Sequence, residues 1–225
     1  MKAFFTFINS SVGKKLIMSL TGIFLCTFLV EHLVGNLLLL APDAGVSFDA
    51  YAHFMGGNPL VRTLEIGLIL LIIIHILNGT RIWYENKRAR GKGYAVYKLR
   101  ENTTFQSRMM ALSASLVFLF LVVHMSKFWF HARFLQEENL ATLVYSTFHQ
   151  GGYVIFYVSA QIILSYHLKH GFQSAFQTLG LKTKKYSGLI EFVAVLFWLV
   201  IPIFFAAIPL VIYFTRGSAV ALSQF

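Results

Sequence analysis

The chain has 225 residues, of which 57% are hydrophobic and only 12% charged, and its mean hydropathy is +0.67. A soluble domain carries roughly a quarter charged residues, so this composition indicates a single polytopic membrane domain over residues 1–225 rather than a soluble fold. The single cysteine, Cys26, excludes an internal disulfide and an iron–sulfur or zinc motif on this chain. In a membrane protein the net charge of +10 is typical of basic cytoplasmic loops and does not indicate nucleic-acid binding.

Five apolar runs predict an all-α protein with five transmembrane helices, at 16–40, 64–83, 109–130, 153–172 and 189–214. Each run reaches or approaches the roughly 20 residues that cross a bilayer. The first run is too long for a cleavable signal peptide and lacks a small-residue cleavage site, so we expect it to remain as a helix.

The basic residues predict the orientation of these helices. Fifteen of the lysines and arginines fall before the first run, between the second and third runs, or between the fourth and fifth, whereas four fall on the opposite side. Because basic loops remain in the cytoplasm, we expect the N-terminus inside and the C-terminus outside.

Each of the first four runs contains one histidine, namely His32, His75, His124 and His167. An ionisable side chain within a membrane helix is costly, so each histidine is a candidate functional residue. A single such histidine is as readily explained by a hydrogen bond between helices. Four of them, on four different helices, favour a shared function.

Counting residues from the charged edges places two of the histidines toward the outer face. His32 follows Lys15 by 17 residues and His124 follows Arg108 by 16, which is about 25 Å and about 24 Å along a helix. Both runs lead outward, so these two histidines are predicted to lie at the same depth.

The other two histidines lie on runs that lead inward. His75 precedes Arg81 by six residues and His167 follows Tyr153 by 14, which is about 9 Å from the inner edge and about 21 Å below the outer edge. Depth alone therefore pairs His32 with His124, and His75 with His167.

Two bis-histidine sites within one helical bundle are typical of haem b centres, which with two imidazole ligands suit electron transfer rather than oxygen chemistry. Three glycines, Gly35, Gly79 and Gly171, lie one turn from His32, His75 and His167 and are candidates for close haem packing. His170 competes with His167 as the fourth ligand. A proton relay is the alternative, but it would need more acids than Glu31 deep in the membrane.

Several motifs in the chain are similar to those of one known family, the five-helix, di-haem cytochrome b anchors of succinate:quinone oxidoreductases (succinate dehydrogenase and fumarate reductase). The resemblance covers nearly the whole chain. It rests on the segments Ser11-Val-Gly-Lys-Lys15, Thr21-Gly22, His32-Leu-Val-Gly-Asn36, Tyr51-Ala-His-Phe-Met55, Asn58-Pro-Leu-Val-Arg62, His75-Ile-Leu-Asn-Gly79 and His167-Leu-Lys-His-Gly-Phe-Gln-Ser-Ala-Phe-Gln177.

This resemblance implies haem ligands that agree with the depth argument. The near, cytoplasmic haem would take His75 and His167, and the far, outer haem would take His32 and His124. The family places its ligand at the first histidine of His-x-x-x-Gly, which favours His167 over His170.

The resemblance also implies partners and location. A flavoprotein subunit with covalent FAD and an iron–sulfur subunit would dock at the cytoplasmic face of a bacterial cytoplasmic membrane, and the dicarboxylate would bind there rather than on this chain. Membrane lipid and a quinone, typically menaquinone in di-haem relatives, complete the list of partners. The direction of the reaction and any higher oligomer of the complex stay open.

Two further sets of candidates follow. A carboxylate near the outer ends of the first two helices would serve the quinone, and the candidates are Glu31, Asp49, His53 and Glu65. Cations or hydroxyls at the inner side would hold the haem propionates, and the candidates are Lys15, Ser19, Arg81 and Arg108.

Two other functions remain open. The first is a di-haem cytochrome b of a hydrogenase or formate dehydrogenase, against which the segment His167–Gln177 argues. The second, from a different class, is a haem-free transporter or structural anchor.

Overall fold

Residues 2–89 and 105–216 are described by this computed structural model, and every regular element within those two ranges is helical. The helices are α1 Lys2–Asn9, α2 Ser11–Leu37, α3 Val46–Gly57, α4 Pro59–Ala89, α5 Phe105–His124, α6 Phe130–Arg133, α7 Leu140–Phe148, α8 Gly151–Thr178, α9 Ser187–Val195 and α10 Ile201–Val211. A 3-10 turn, Leu38–Leu40, extends α2, and π turns at Met125–Trp129, Leu196–Val200 and Ile212–Arg216 follow α5, α9 and α10. The predicted all-α class is therefore confirmed.

Four helical segments in the described ranges are long and apolar enough to cross a membrane: Ser11–Leu40, Pro59–Ala89, Arg108–Arg133 and Ser187–Thr215. They contain the first, second, third and fifth predicted spans. Large apolar side chains on their surfaces, such as Leu64, Ile66 and Leu70 of α4, are more than half exposed. So much exposed apolar area indicates contact with lipid rather than water.

The fourth predicted span lies within α8, which has 28 residues but is not among the four apolar segments. Its length is sufficient, and its polar side chains explain the difference: Gln161, Ser165, His167, Lys169 and His170 lower its hydropathy. Of the basic residues used for the orientation, Arg90, Lys92, Lys98 and Arg100 lie outside the described residues.

At the centre of the bundle, α8 packs against α2, α5, α7, α9 and α10. Two apolar clusters lie along it. The first surrounds Val154 and Tyr157 near its start, and the second contains Leu168 and Phe172 in its second half. Neighbouring helices thus cover much of α8, which explains how it tolerates more polar residues than the peripheral helices.

Local interactions fix the ends of several helices. The Ser10 hydroxyl accepts a hydrogen bond from the Gly13 N–H at 3.0 Å and begins α2 as an N-cap. Gly45 precedes α3 with φ +96°, a conformation that glycine adopts without steric cost. In α3, Asp49 Oδ1 accepts from the Ala141 N–H at 2.8 Å, in the first turn of α7. The short helices α3 and α7 are therefore tied together beside the bundle.

Candidate functional site

His32 on α2 and His124 at the end of α5 face each other, with ring centroids 5.7 Å apart and ring planes at 88°. Five aromatic rings lie against this pair, with centroids 5.3 to 5.9 Å from the nearer imidazole: Phe28, Phe120, Phe128, Tyr157 and Phe205. The His32–His124 pair is thus enclosed in an aromatic shell.

His75 on α4 and His167 on α8 form a second pair, with ring centroids 6.5 Å apart and planes at 70°. Tyr157, which contacts His124, precedes His167 by ten residues on α8, about 15 Å along the helix. The structure therefore brings together the same two pairs that depth counting predicts, at two levels of one bundle. Their role as ligands stays a prediction.

Each histidine pair joins two helices that do not pack closely against each other. In the described ranges α4 packs closely against α2 and α3, and α5 packs closely against α8, whereas α2 with α5 and α4 with α8 are not among the closely packed pairs. These two are the helix pairs that carry the facing histidines. All four histidine residues are partly buried. Helical bundles hold cofactors between facing helices in this way.

The spacing of the rings fits a metal held between two imidazoles. Metal–imidazole nitrogen bonds of about 2.0 Å separate two ring centroids by roughly 6 Å. The observed separations, 5.7 and 6.5 Å, lie on either side of that value. The residues present therefore fit a bis-histidine haem at each level.

The second nitrogen of each imidazole meets a different environment. His75 Nδ1 lies 3.0 Å from Thr21 Oγ1, and His124 Nδ1 lies 3.3 Å from the Tyr157 hydroxyl. His32 Nδ1 lies 3.4 Å from the Asn36 amide nitrogen. His167 Nδ1 is buried without a hydrogen-bond partner. Metal-bound histidines usually donate a hydrogen bond through the nitrogen that does not bind the metal, so Nε2 is the candidate donor atom in His75 and His124. The Asn36 amide nitrogen beside His32 Nδ1 is itself a donor, so that contact does not mark Nε2 of His32 in the same way.

Only one of the two neighbouring histidines on α8 faces His75. His167 makes the ring contact, whereas His170, one turn further along α8, is partly accessible and makes no ring contact in the described part of the chain. The geometry thus agrees with the preference for His167 over His170.

The three candidate glycines differ in what lies beside them. A Cβ added to Gly35 would lie 2.5 Å from the ring of Tyr51, and one added to Gly79 would lie 3.2 Å from Met18. A Cβ at Gly171 would meet nothing within 4 Å. Tyr51 of α3 therefore occupies the close approach at Gly35, which the sequence assigned to haem packing, whereas Gly171 borders open space.

The propionate candidates lie near the start of α2, near the end of α4 and near the start of α5. The Ser19 side chain is buried, and its hydroxyl donates to the Lys15 carbonyl at 2.9 Å. Arg81 donates to Glu85 at 2.9 Å and to Asn9 at 2.8 Å. Lys15 and Arg108 are exposed.

Lys14 also pairs with Glu85. At this end of the bundle, a hydrogen-bonded network therefore joins α1, α2 and α4.

The quinone candidates are distributed over different environments. Asp49 is engaged at the start of α7, as described above, and His53 is exposed. Glu31 accepts a hydrogen bond from the Tyr51 hydroxyl. Partial burial and, to a smaller extent, the hydrogen bond with Glu31 raise the pKa of the Tyr51 phenol well above its ordinary value.

Glu65 is held by three donors. It accepts from Arg62 at 2.7 Å, from Trp129 at 2.5 Å and from Arg133 at 2.9 Å, with its side chain 16% exposed. Both carboxylate oxygens are therefore occupied, and Glu65 joins α4 to α6 and the π turn before it. Glu31, by contrast, has a phenol as its partner.

The residues next to the imidazoles were not predicted from the sequence. Thr21 and Gly22 lie on the same helix as His32, but in the structure they pack against His75, with a Cβ at Gly22 lying 3.4 Å from its Cε1. Their spacing on α2 was a usable signal, since they lie about three turns before His32 and hence near the level of the other pair. For Tyr157 the sequence carries no comparable signal.

The described residues contain no group of three or more His, Cys, Asp or Glu side chains arranged to hold a metal ion by themselves. A metal centre with only two protein ligands, such as a bis-histidine haem, does not need such a group of three. Comparison with known proteins gives no match to a family model, a curated protein or a solved structure. The functional argument therefore rests on the residues and their geometry.

Proposed function

We propose that the chain is the cytochrome b membrane anchor of a succinate:quinone oxidoreductase, binding two b haems and carrying electrons between an iron–sulfur subunit and membrane quinone. One observation supports this proposal: two histidine pairs join helices that do not pack closely against each other, at two levels of one bundle. Each haem supplies one-electron redox chemistry when bound.

The spacing of the levels supports electron transfer across the membrane. About 15 Å along α8 separates them, which is half of a hydrocarbon core about 30 Å thick. In this proposal His75 and His167 hold the haem near the cytoplasm, and His32 and His124 hold the one near the outer face.

Five spans are part of the proposal: the four apolar segments and, as the fourth span in chain order, α8. The surrounding helices bury Gln161 and partly cover Ser165, His167, Lys169 and His170, so α8 does not need the apolar surface of a lipid-exposed helix. The N-terminus then lies in the cytoplasm and the C-terminus outside, in the orientation that the basic residues favour.

In this proposal, the residues of this chain bind, orient and enclose the haems. The imidazoles would hold each haem, the five aromatic rings would limit access of water to the His32–His124 pair, and Lys15, Ser19, Arg81 or Arg108 would bind the propionates. Quinone, menaquinone in this proposal, exchanges electrons at the outer end near Glu31 and His53. The flavoprotein with its FAD and the iron–sulfur subunit carry the dicarboxylate chemistry.

Haem content tests the proposal directly. The full chain, purified in detergent from its native membrane, should show a reduced-minus-oxidised b-type spectrum with about two haems per chain. A chain that is fully helical and free of haem, also after haem supplementation during expression, would contradict the proposal and favour a transporter or structural anchor.

The partner subunits test the second part. Gentle solubilisation should co-purify a flavoprotein with covalent flavin and an iron–sulfur subunit. Haem-containing preparations that instead carry a nickel or molybdenum subunit would assign the chain to a hydrogenase or formate dehydrogenase.

A further inference from the structure

Thr21 is a buried hydroxyl residue of α2 that touches a histidine of another helix. Its side chain is 6% exposed, and Oγ1 lies 3.0 Å from His75 Nδ1. The same oxygen lies 2.8 Å from the Ile17 carbonyl and 3.2 Å from the Met18 carbonyl. A threonine hydroxyl has one proton to donate and two lone pairs that accept.

The Thr21 hydroxyl donates its single proton to the backbone. A carbonyl oxygen has no proton to give, so the contact with Ile17 exists only if Thr21 donates, as helical threonines commonly do to the carbonyl four residues earlier. The contact with His75 must then use the proton of the imidazole. Nδ1 of His75 donates to Thr21, and Nε2 keeps its lone pair.

The neighbouring glycine completes the contact. A Cβ at Gly22 would lie 3.4 Å from Cε1 of His75, so the ring rests against a position that has no side chain. Thr21 and Gly22 together set both the tautomer and the orientation of the His75 ring.

The other three imidazoles lack such a directed contact. The Tyr157 phenol beside His124 can donate or accept. The Asn36 amide nitrogen can only donate, so its contact with His32 Nδ1 at 3.4 Å, made beside its hydrogen bond to the His32 carbonyl at 2.7 Å, favours the proton on Nε2. His167 Nδ1 has no partner among the described residues. Among the four, only His75 has a neighbouring group that requires the proton on Nδ1.

We propose that Thr21 is a positioning residue that holds His75 as the Nδ1–H tautomer and thereby keeps Nε2 available as a metal ligand. The inference rests on the proposed function, in which His75 binds the haem near the cytoplasm. A hydrogen bond from Nδ1–H makes an imidazole a more basic ligand, which favours the oxidised metal.

The test compares three variants of the full-length chain. Thr21→Val removes the hydroxyl while preserving the shape, and Thr21→Ser restores a hydroxyl. Thr27→Val is the matched control, because Thr27 lies on the same helix, is exposed, and donates only to the Phe24 carbonyl at 2.7 Å.

Thr21→Val should weaken haem retention at one of the two sites about tenfold. It should also shift the redox equilibrium of that haem about tenfold toward the reduced form, which is about 59 mV upward for a one-electron couple. Thr21→Ser and Thr27→Val should match the unaltered protein, and the haem at His32–His124 serves as the internal control for folding. If Thr21→Val does not fold, Thr21→Ala, which adds no atoms beside His75, replaces it.

Unchanged potentials and retention in Thr21→Val, in a protein that holds two haems, would overturn the inference and leave the proposed function intact. Absence of haem from the unaltered chain would instead overturn the proposed function. In that case nitrogen-15 NMR of histidine-labelled protein still tests the tautomer: a His75 signal of the Nδ1–H form is expected, and it should be lost in Thr21→Val. A signal of the Nε2–H form in the unaltered protein would overturn the inference by itself.

Discussion

Five aromatic rings enclose the His32–His124 pair, whereas the His75–His167 pair has, within residues 2–89 and 105–216, no ring contact apart from the one between its own imidazoles. In the second pair, His75 is held instead by the hydroxyl of Thr21 and lies against the backbone of Gly22. Packing therefore fixes the first site, and a directed hydrogen bond contributes more to the second. Substitutions that remove apolar volume should damage the first site most, and substitutions that remove a polar atom should damage the second.

The largest expected effect separates the two sites completely. His124→Leu should reduce the haem content from two to one per chain, and His167→Leu should do the same at the other site, because each change removes one of two axial ligands. The haem that remains in His124→Leu and the haem that remains in His167→Leu should differ in spectrum or potential. Pyridine haemochrome quantification and a redox titration of the purified chain measure both properties.

His170→Leu is the matched control for His167→Leu, since it changes the same residue type one turn away, and it should retain two haems. Loss of both haems in either ligand variant, with helix content preserved by circular dichroism, would contradict the separation into two independent sites.

Tyr157→Ala should have the next largest effect, on stability. The Tyr157 ring is 6% exposed and contacts Phe120, Phe128 and Phe148, so its removal leaves a cavity and should cost about 3–5 kcal/mol. Tyr157→Phe keeps the ring and should cost about 1 kcal/mol, the value of a single hydrogen bond. Denaturant unfolding of the purified chain in one detergent measures the difference.

Thr21→Val provides the comparison at the other site, because it keeps the volume and removes one hydroxyl. Its stability cost should resemble that of Tyr157→Phe. Equal costs for Tyr157→Ala and Tyr157→Phe would show that packing does not dominate the His32–His124 site.

The pairing of the four histidines was predictable because an α-helix has a constant rise per residue. A rise of about 1.5 Å per residue, counted from charged edges, assigns a depth to each histidine without knowledge of the packing. The rotation of one helix relative to another cannot be calculated from residue counts in this way. Thr21 therefore faces His75 rather than the helix's own His32, a partnership that the linear sequence does not contain.

Contacts made by the short helices were unpredictable for the same reason. Gly35 was predicted to admit a haem, but α3 folds back and places Tyr51 there. Glu65 was one of four equivalent quinone candidates until Arg133, far along the chain, was found against it. Likewise, the hydropathy of α8 by itself does not reveal that the surrounding helices cover it.

Two glycine substitutions sharpen the comparison at a smaller scale. Gly35→Ala should destabilise the protein by about 1–3 kcal/mol, because its methyl group would lie 2.5 Å from the Tyr51 ring. Gly171→Ala meets nothing within 4 Å and should instead stabilise α8 by up to about 1 kcal/mol, since alanine is the better helix former. Thermal unfolding of the haem-free chain measures both.

A double variant tests the cause of the first effect. Gly35→Ala combined with Tyr51→Ala should cost less than the sum of the two single changes, because the clash disappears with the ring. If the stability costs of the two single changes simply add, the destabilisation by Gly35→Ala does not come from a clash with Tyr51. If Gly171→Ala stabilises the haem-free chain but lowers haem retention at the His75–His167 site, the open space beside Gly171 is where that haem packs.

The smallest effect concerns the contact that ties α3 to α7. Asp49→Ala removes the acceptor of the Ala141 N–H bond and should cost about 1 kcal/mol, as expected for loss of a helix cap. Asp49→Asn keeps an oxygen at the same position and is the matched control. Hydrogen exchange resolves the effect locally: the first turn of α7 should exchange faster in Asp49→Ala, while the His75–His167 end of the bundle should not change. Because α7 belongs to the apolar cluster that contains Leu33 and Tyr157, an increase spread equally over both ends would mean that the two sites are not stabilised separately.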